Sequence, residues 1–123
     1  MEKKRLVWSG NFSEMSVGTR QEADKELKAI GTTGRGAEIM AEKMLFKVIK
    51  LTGVDTRAAN ILKQTMLSQG ADAAVSAGTV NLAVKETDVL IFATVHQLRP
   101  AIERLREQPW GLKDIAEILE KNI

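Results

Sequence analysis

The sequence predicts a single α/β domain, with α+β as the alternative, in which a mixed or parallel sheet is flanked by about four to five helices. The length of 123 residues fits one domain spanning residues 1–123, and no repeat, linker or low-complexity segment divides it. Segments with apolar residues at helical spacing alternate with short apolar runs. A sheet covered by helices buries the apolar side of both kinds of segment.

The first predicted elements are a short strand over residues 5–12 (RLVWSGNF) and a helix over residues 19–30. Thr19 and Glu22 have the spacing of a capping box, in which the hydroxyl and the carboxylate each accept a backbone N–H. The apolar stripe of this helix is Ala23, Leu27 and Ile30. Gly31 then suits the position just after a helix, where φ is positive.

A second, shorter helix and a longer strand complete the first half of the chain. The helix is predicted for GAEIMAEKM, whose spaced apolar residues are Ile39, Met40 and Met44. Residues 45–51 (LFKVIKL) carry apolar side chains on both alternating faces. That pattern predicts a strand that is buried on much of both sides.

A third helix and three strands follow. The helix is predicted for DTRAANILKQTMLSQG, with Asp55 or Thr56 as its cap and Gly70 at its end. The next segment, ADAAVSAGTVNLAV, predicts a short strand, a turn at Gly78 and a second strand. The continuous apolar run over residues 87–94 (TDVLIFAT) is typical of a central buried strand.

The last two predicted elements are helices. The first of them has the apolar stripe Leu98, Ala101, Ile102 and Leu105. We place Pro100 in its first turn, where a missing N–H costs little, and Pro109 marks its end. The last helix, over residues 112–121, has the stripe Leu112, Ile115, Ala116 and Leu119. Ile118 lies off that stripe and is a candidate for an exposed apolar contact.

Composition excludes several classes of protein. The 18 basic and 16 acidic side chains are interleaved and leave a net charge of +2, whereas nucleic-acid binders gather a basic excess on one face. The absence of cysteine excludes disulfides and thiolate metal sites. No apolar run approaches the ~20 residues of a membrane helix, and the lack of a signal peptide predicts a cytoplasmic protein. No phosphate-loop, dinucleotide or metalloprotease motif occurs, so neither a metal nor a cofactor is expected.

Six polar residues form the predicted ligand-binding set: Asn60, Lys63, Gln64, Thr94, His96 and Gln97. Asn60 and Gln64 lie one turn apart on the third helix, where their amides can pair with a heterocycle that has mixed donors and acceptors. The last three members follow the predicted central strand, at the end where open α/β sheets bind ligands. The structural alternative is that His96 and Gln97 begin a helix, that Lys63 is solvated, and that the two amides form an exposed face.

The segment Gly31-Thr32-Thr33-Gly34 has the Gly-x-x-Gly pattern with which KH domains clamp a nucleic-acid backbone. Lys28 and Arg35 flank it. The nearly balanced charge and the scarcity of aromatic residues favour a simpler interpretation, in which Gly31 ends one helix and a turn leads into the next. That interpretation predicts a positive φ at Gly31, with Ile30 and Ile39 buried together.

Three stretches carry a resemblance to a known family: AANILKQTMLSQGADAAV, TDVLIFAT and LREQPWGLKDIAEIL. In combination they resemble the domain that precedes the catalytic barrel in dihydropteroate synthases of clostridial and related type. The resemblance extends from about Gly36 to the end of the chain, and residues 1–18 are not covered. It implies a bacterial, pterin or folate context. Because 123 residues cannot hold a TIM barrel, no catalytic residue of the family is carried over.

The predicted function is therefore a non-catalytic accessory or binding module related to dihydropteroate synthase, with a pterin or folate ligand or a barrel-domain protein as its partner. Nothing in the sequence supports enzymatic activity by this chain alone. The alternative is an oligomerisation or protein-interaction domain without a ligand, for example a homo-oligomer. A KH-like binder of single-stranded nucleic acid is a lesser alternative.

Overall fold

A computed structural model describes residues 7–32 and 34–123. The elements in this part of the chain are α1 (Arg20–Ile30), α2 (Gly34–Met44), β1 (Phe46–Asp55), α3 (Thr56–Ser68), β2 (Asp72–Ala74), β3 (Glu86–Thr94), α4 (Val95–Leu105) and α5 (Leu112–Lys121). The predicted α/β class is confirmed, with five helices in the described residues. Within those residues, none of the helices has the length and apolar character that crossing a membrane requires.

The three strands form one sheet in the order β1-β3-β2, and both pairings are antiparallel. This differs from the mixed or parallel sheet that the alternation of strands and helices suggested. Strands β1 and β2 do run in the same direction, and α3 connects them, but β3 lies between them. The loop over residues 75–85 returns the chain so that β3 enters this gap in the opposite direction. Sequence alternation does not reveal such an insertion.

One face of the sheet forms the core together with α3 and α4, and α5 packs against α4. Alternate residues of the central strand point into this core, namely Val89, Ile91 and Ala93. The predicted stripe of α4 is confirmed, because all four of its residues are buried. In α5, Leu112, Ala116 and Leu119 are buried, Ile115 packs against the core, and Ile118 is exposed.

The other face of the sheet is open. The register places Val48 beside Phe92 and Lys50 beside Leu90 on this face. Phe46 is 60% exposed, Val48 is 66% exposed and Leu90 is 42% exposed. The prediction that β1 is buried on much of both sides is therefore wrong, since its second apolar face has no covering layer in the described residues. The central position of β3 is confirmed.

Three further expectations differ from the structure. Residues 7–12 of the predicted first strand are irregular, while residues 5 and 6 lie outside the described part of the chain. The segment after Gly78 is a turn, in which Ala83 N donates to Gly78 O, and not a strand. Pro100 lies in the second turn of α4, because Thr94 caps the helix and Val95 begins it.

Helix α1 has the predicted ends. Thr19 Oγ1 accepts from Glu22 N at 3.1 Å, and the Glu22 carboxylate accepts from Gly18 N at 3.2 Å. Gly31 has φ of 99°, and its N–H donates to the carbonyls of Leu27 and Lys28. The prediction that Ile30 and Ile39 are buried together is wrong, because their side chains are 82% and 43% exposed, respectively.

One carboxylate links α1 and α2 to α4, in addition to the direct packing of α2 on α4. Glu42 of α2 accepts from Arg20 of α1 at 3.0 Å and from Arg99 of α4 at 2.7 Å. The hydrogen bond from Arg99 lowers the pKa of Glu42 below its ordinary value. The buried residues of α1 and α2 are Ala23 and Ala41, so this pair of helices packs through small side chains.

The conformation of Gly31 predicts opposite effects for two glycine substitutions. Apart from the adjoining backbone, a Cβ added at Gly31 or at Gly36 would meet no atom of the described chain within 4 Å, but of these two glycines only Gly31 has a positive φ. We expect Gly31→Ala to lower the free energy of unfolding by about 1–2 kcal/mol. Gly36→Ala, inside α2, should raise it by about 0.5 kcal/mol because the unfolded chain loses freedom. Urea unfolding of both variants tests this, and a neutral Gly31→Ala would contradict it.

Candidate functional site

The cleft between α3 and the end of α4 is lined mostly by polar side chains. Its volume is about 530 Å³, within the range of small-molecule sites. Helix α3 and the segment that ends α4 supply its lining: Asn60, Ile61, Gln64, Thr65, Ser68, Arg104, Glu107 and Gln108. It therefore combines amides, hydroxyls, one guanidinium, one carboxylate and an apolar side chain.

Helix α3 presents these residues because its opposite side enters the core. Asp55 caps the helix by accepting from Arg57 N at 2.8 Å. The core-facing residues are Ala58, Ala59, Leu62 and Met66. Gln64 lies on the exposed side of the helix, one turn from Asn60, as the sequence predicted. The pair of amides is thus held on one rigid element beside the cleft.

Two hydrogen bonds shape the ends of the cleft. Asn60 Nδ2 donates to Thr79 O at 2.8 Å, which ties the loop over residues 75–85 to α3. Arg104 Nη1 donates to Ser68 Oγ at 3.1 Å, which holds the guanidinium beside α3. The remaining N–H groups of Arg104 are suited to a carboxylate or another planar acceptor.

A cluster of Asp55, Arg57 and Trp110 lies at the start of α3. Arg57 donates to the Asp55 carboxylate at 2.8 Å, and its guanidinium carbon lies 4.7 Å from the ring centre of Trp110. The hydrogen bonds from Arg57 lower the pKa of Asp55 to about 2. The contact between Arg57 and Trp110 holds the segment after α4 beside the start of α3. Because the two residues lie far apart in the sequence, no local pattern predicts this contact.

The structure places the other four predicted site residues away from this lining. Lys63 Nζ donates to Asp72 Oδ1 at 2.9 Å and to Ala73 O at 2.7 Å, so it joins α3 to β2. The hydrogen bond from Lys63 lowers the pKa of Asp72.

Thr94 and Gln97 form a capping box at the start of α4. Thr94 N donates to Gln97 Oε1 at 2.9 Å, and Gln97 N donates to Thr94 Oγ1 at 3.1 Å. His96 lies exposed in the first turn. The structure therefore brings Asn60 and Gln64 together with Arg104 and Gln108, which sequence reasoning did not select.

Gly31 and Gly34 join α1 to α2, as a KH-type clamp would require. The adjacent cleft of about 630 Å³ is lined by the cations Lys28 and Arg35 and also by the anions Asp24 and Glu38. Equal numbers of acidic and basic side chains give little net attraction for a phosphate backbone. This geometry explains the two glycines as a helix end and a helix start.

No group of three or more potential metal ligands occurs among residues 7–32 and 34–123. The cleft offers hydrogen-bonding groups and one guanidinium for holding a ligand. Its Glu107 carboxylate can accept from a ligand's ring N–H or amino group.

Comparisons with known proteins connect the chain to folate enzymes. No family model matches it, and no solved structure matches it. It is 31% identical over 119 residues to the probable bifunctional folylpolyglutamate synthase/dihydropteroate synthase of Halobacterium salinarum. The alignment covers 97% of this chain but only 14% of that protein, so the chain spans about a seventh of its relative. This match supports a relationship between the chain and a dihydropteroate synthase-related region.

Proposed function

We propose that this chain is a non-catalytic accessory module of folate synthesis, equivalent to the domain that precedes the barrel in clostridial-type dihydropteroate synthases. The observation that carries the proposal is the alignment, which takes in almost the whole chain and a small part of a bifunctional folate enzyme. Such a module acts in the cytoplasm by holding a pterin or folate ligand and by assembling with a barrel-domain protein that performs the chemistry.

The α3–α4 cleft supports binding of a pterin-type ligand. A pterin ring is flat and presents both donors and acceptors along its edge, which the amides of Gln64 and Gln108 can match. Ile61 offers an apolar surface for the ring. Arg104 can pair with the carboxylate that p-aminobenzoate and folates carry. We therefore propose that the ligand binds in this cleft, with Asn60 at the edge of the cleft.

In this role the chain itself makes and breaks no covalent bond. Two of the predicted ligand-binding residues are held in structural hydrogen bonds outside the cleft, Lys63 with Asp72 and Thr94 with Gln97. Binding and positioning are the roles that we propose for the residues of the cleft.

Ligand titration tests the site. We expect folate, dihydropteroate or p-aminobenzoate to raise the melting temperature and to give a measurable heat in calorimetry. Gln64→Ala and Arg104→Ala should each weaken binding about tenfold, the equivalent of one good hydrogen bond or charge-assisted contact. The matched controls are Gln21→Ala on α1 and Arg35→Ala on α2, which replace the same residue types on exposed surface outside the cleft.

Two outcomes would contradict this proposal. If none of the three ligands changes the melting temperature or produces heat, the cleft is not a folate-type site. If the cleft variants and the controls lose affinity equally, the ligand binds elsewhere. Co-elution with a dihydropteroate synthase barrel protein tests the assembly part separately, since that part does not depend on the cleft.

A further inference from the structure

Strand β1 lies at an edge of the sheet and is ten residues long. One of its edges pairs with β3. In the described part of the chain, no backbone hydrogen bond reaches residues 46–54 from any segment other than β3. A long edge strand with free N–H and C=O groups is a template for pairing with another strand.

The side chains that β1 presents on the open face begin with the apolar residues Phe46 and Val48 and continue with Lys50. Phe46 and Val48 are the most exposed of the large apolar residues on the open sheet face, and Leu90 and Phe92 continue that face onto β3. The two lysines of the strand, Lys47 and Lys50, lie on opposite faces because side chains alternate along a strand. The positions of these lysines decide which pairing registers a second β1 strand can adopt without placing like charges opposite each other.

We infer that β1 pairs with β1 of a second copy of this chain, antiparallel about a two-fold axis beside Val48. A two-fold pairing is isologous, so each copy covers the free edge of the other and the assembly closes as a dimer. The two sheets then form one six-stranded antiparallel sheet. Val48 meets Val48 of the second copy on the axis.

The charge pattern selects this register. With the axis beside Val48, Phe46 lies opposite Lys50 of the second copy, and Lys47 lies opposite Ile49 of the second copy. Each ammonium is therefore next to an apolar residue, and Lys50 can lie over an aromatic ring. An axis at Lys47 or Lys50 would set two like charges opposite each other, which destabilises a strand pair.

The irregular end of β1 excludes the register in which the two-fold axis lies at the next residue, Ile49. An axis at Ile49 would place Phe46 opposite Thr52 of the second copy. The strand register shifts between Leu51 and Val54, and Gly53 has φ of 64°. A bulge of this kind disrupts regular pairing on its strand. The part of β1 in regular register with β3 is Phe46–Leu51, and an axis at Val48 keeps the pairs formed by residues 46–50 inside this part.

Charge substitution at Val48 tests the dimer. Sedimentation velocity over a concentration series should show the wild-type chain passing from monomer to dimer. Val48→Lys and Val48→Glu should each remain monomeric, because the axis would bring two like charges together. An equimolar mixture of the two variants should recover the dimer, since unlike charges then meet. Circular dichroism confirms that each variant is folded, as expected for a side chain exposed to solvent.

The matched controls are Val80→Lys and Val80→Glu, which place the same charges at a valine that is 76% exposed and lies in the loop over residues 75–85 instead of in β1. Both should dimerise like the wild type. A wild-type chain that stays monomeric at every concentration would overturn the inference. So would Val48 variants that dimerise alone, or a mixture that stays monomeric. A dimer that is lost in the Val80 variants would place the interface elsewhere.

Discussion

Replacing Ile91 by alanine is expected to lower the free energy of unfolding by about 2–5 kcal/mol, the range seen when a large buried side chain is truncated. Ile91 has no exposed surface and lies on the central strand, with β1 on one side and β2 on the other. Its side chain points into the core between the sheet and the helices. Truncation removes apolar contacts on several elements at once and leaves a cavity that they cannot close without moving.

The neighbouring residue supplies the control for this experiment. Leu90 lies on the same strand but points to the open face and is 42% exposed. Leu90→Ala should cost about 1 kcal/mol, because less apolar surface returns to water and no cavity forms. Urea unfolding of both variants at low protein concentration measures the difference. Equal losses would mean that the face bearing Leu90 is covered, contrary to the structure.

The helices could be predicted from the sequence because their signals are local. Caps at Thr19 and Asp55, glycines such as Gly31 and apolar residues three or four apart all lie within one element. The openness of one sheet face could not be predicted. Phe46 and Val48 look the same in sequence whether a helix covers them or not. Strand direction was also hidden, since it depends on where β3 enters the sheet.

The candidate site could be predicted only in part, because the sequence shows which residues share a helix face but not which helices pack together. Asn60 and Gln64 belong to one helix, so their spacing of one turn reveals their common face. Arg104 and Gln108 come from a different helix and its following loop, and only the packing of α4 on α3 brings them near. The spacing of Thr94 and Gln97 matches a capping box, and this signal could have identified their structural role from sequence.

Replacing Asn60 by alanine should lower the free energy of unfolding by about 1–2 kcal/mol, whereas Gln64→Ala should change it by less than about 0.5 kcal/mol. Asn60 Nδ2 donates to Thr79 O, and Thr79 has no exposed surface, so the substitution leaves a carbonyl without its partner in a part-buried site. Gln64 is exposed and lines the same cleft. Thermal and urea unfolding without ligand measure both effects.

The same two variants separate structure from binding in the cleft. Because Gln64 contributes little to stability, any loss of ligand affinity in Gln64→Ala reports on recognition. A loss of ligand affinity in Asn60→Ala would also include the effect of releasing the loop over residues 75–85, which Asn60 ties to α3. Asn60→Asp keeps an acceptor but removes the donor, so it should be as destabilising as Asn60→Ala. If Asn60→Asp instead keeps the wild-type stability, the bond to Thr79 is not what holds the loop.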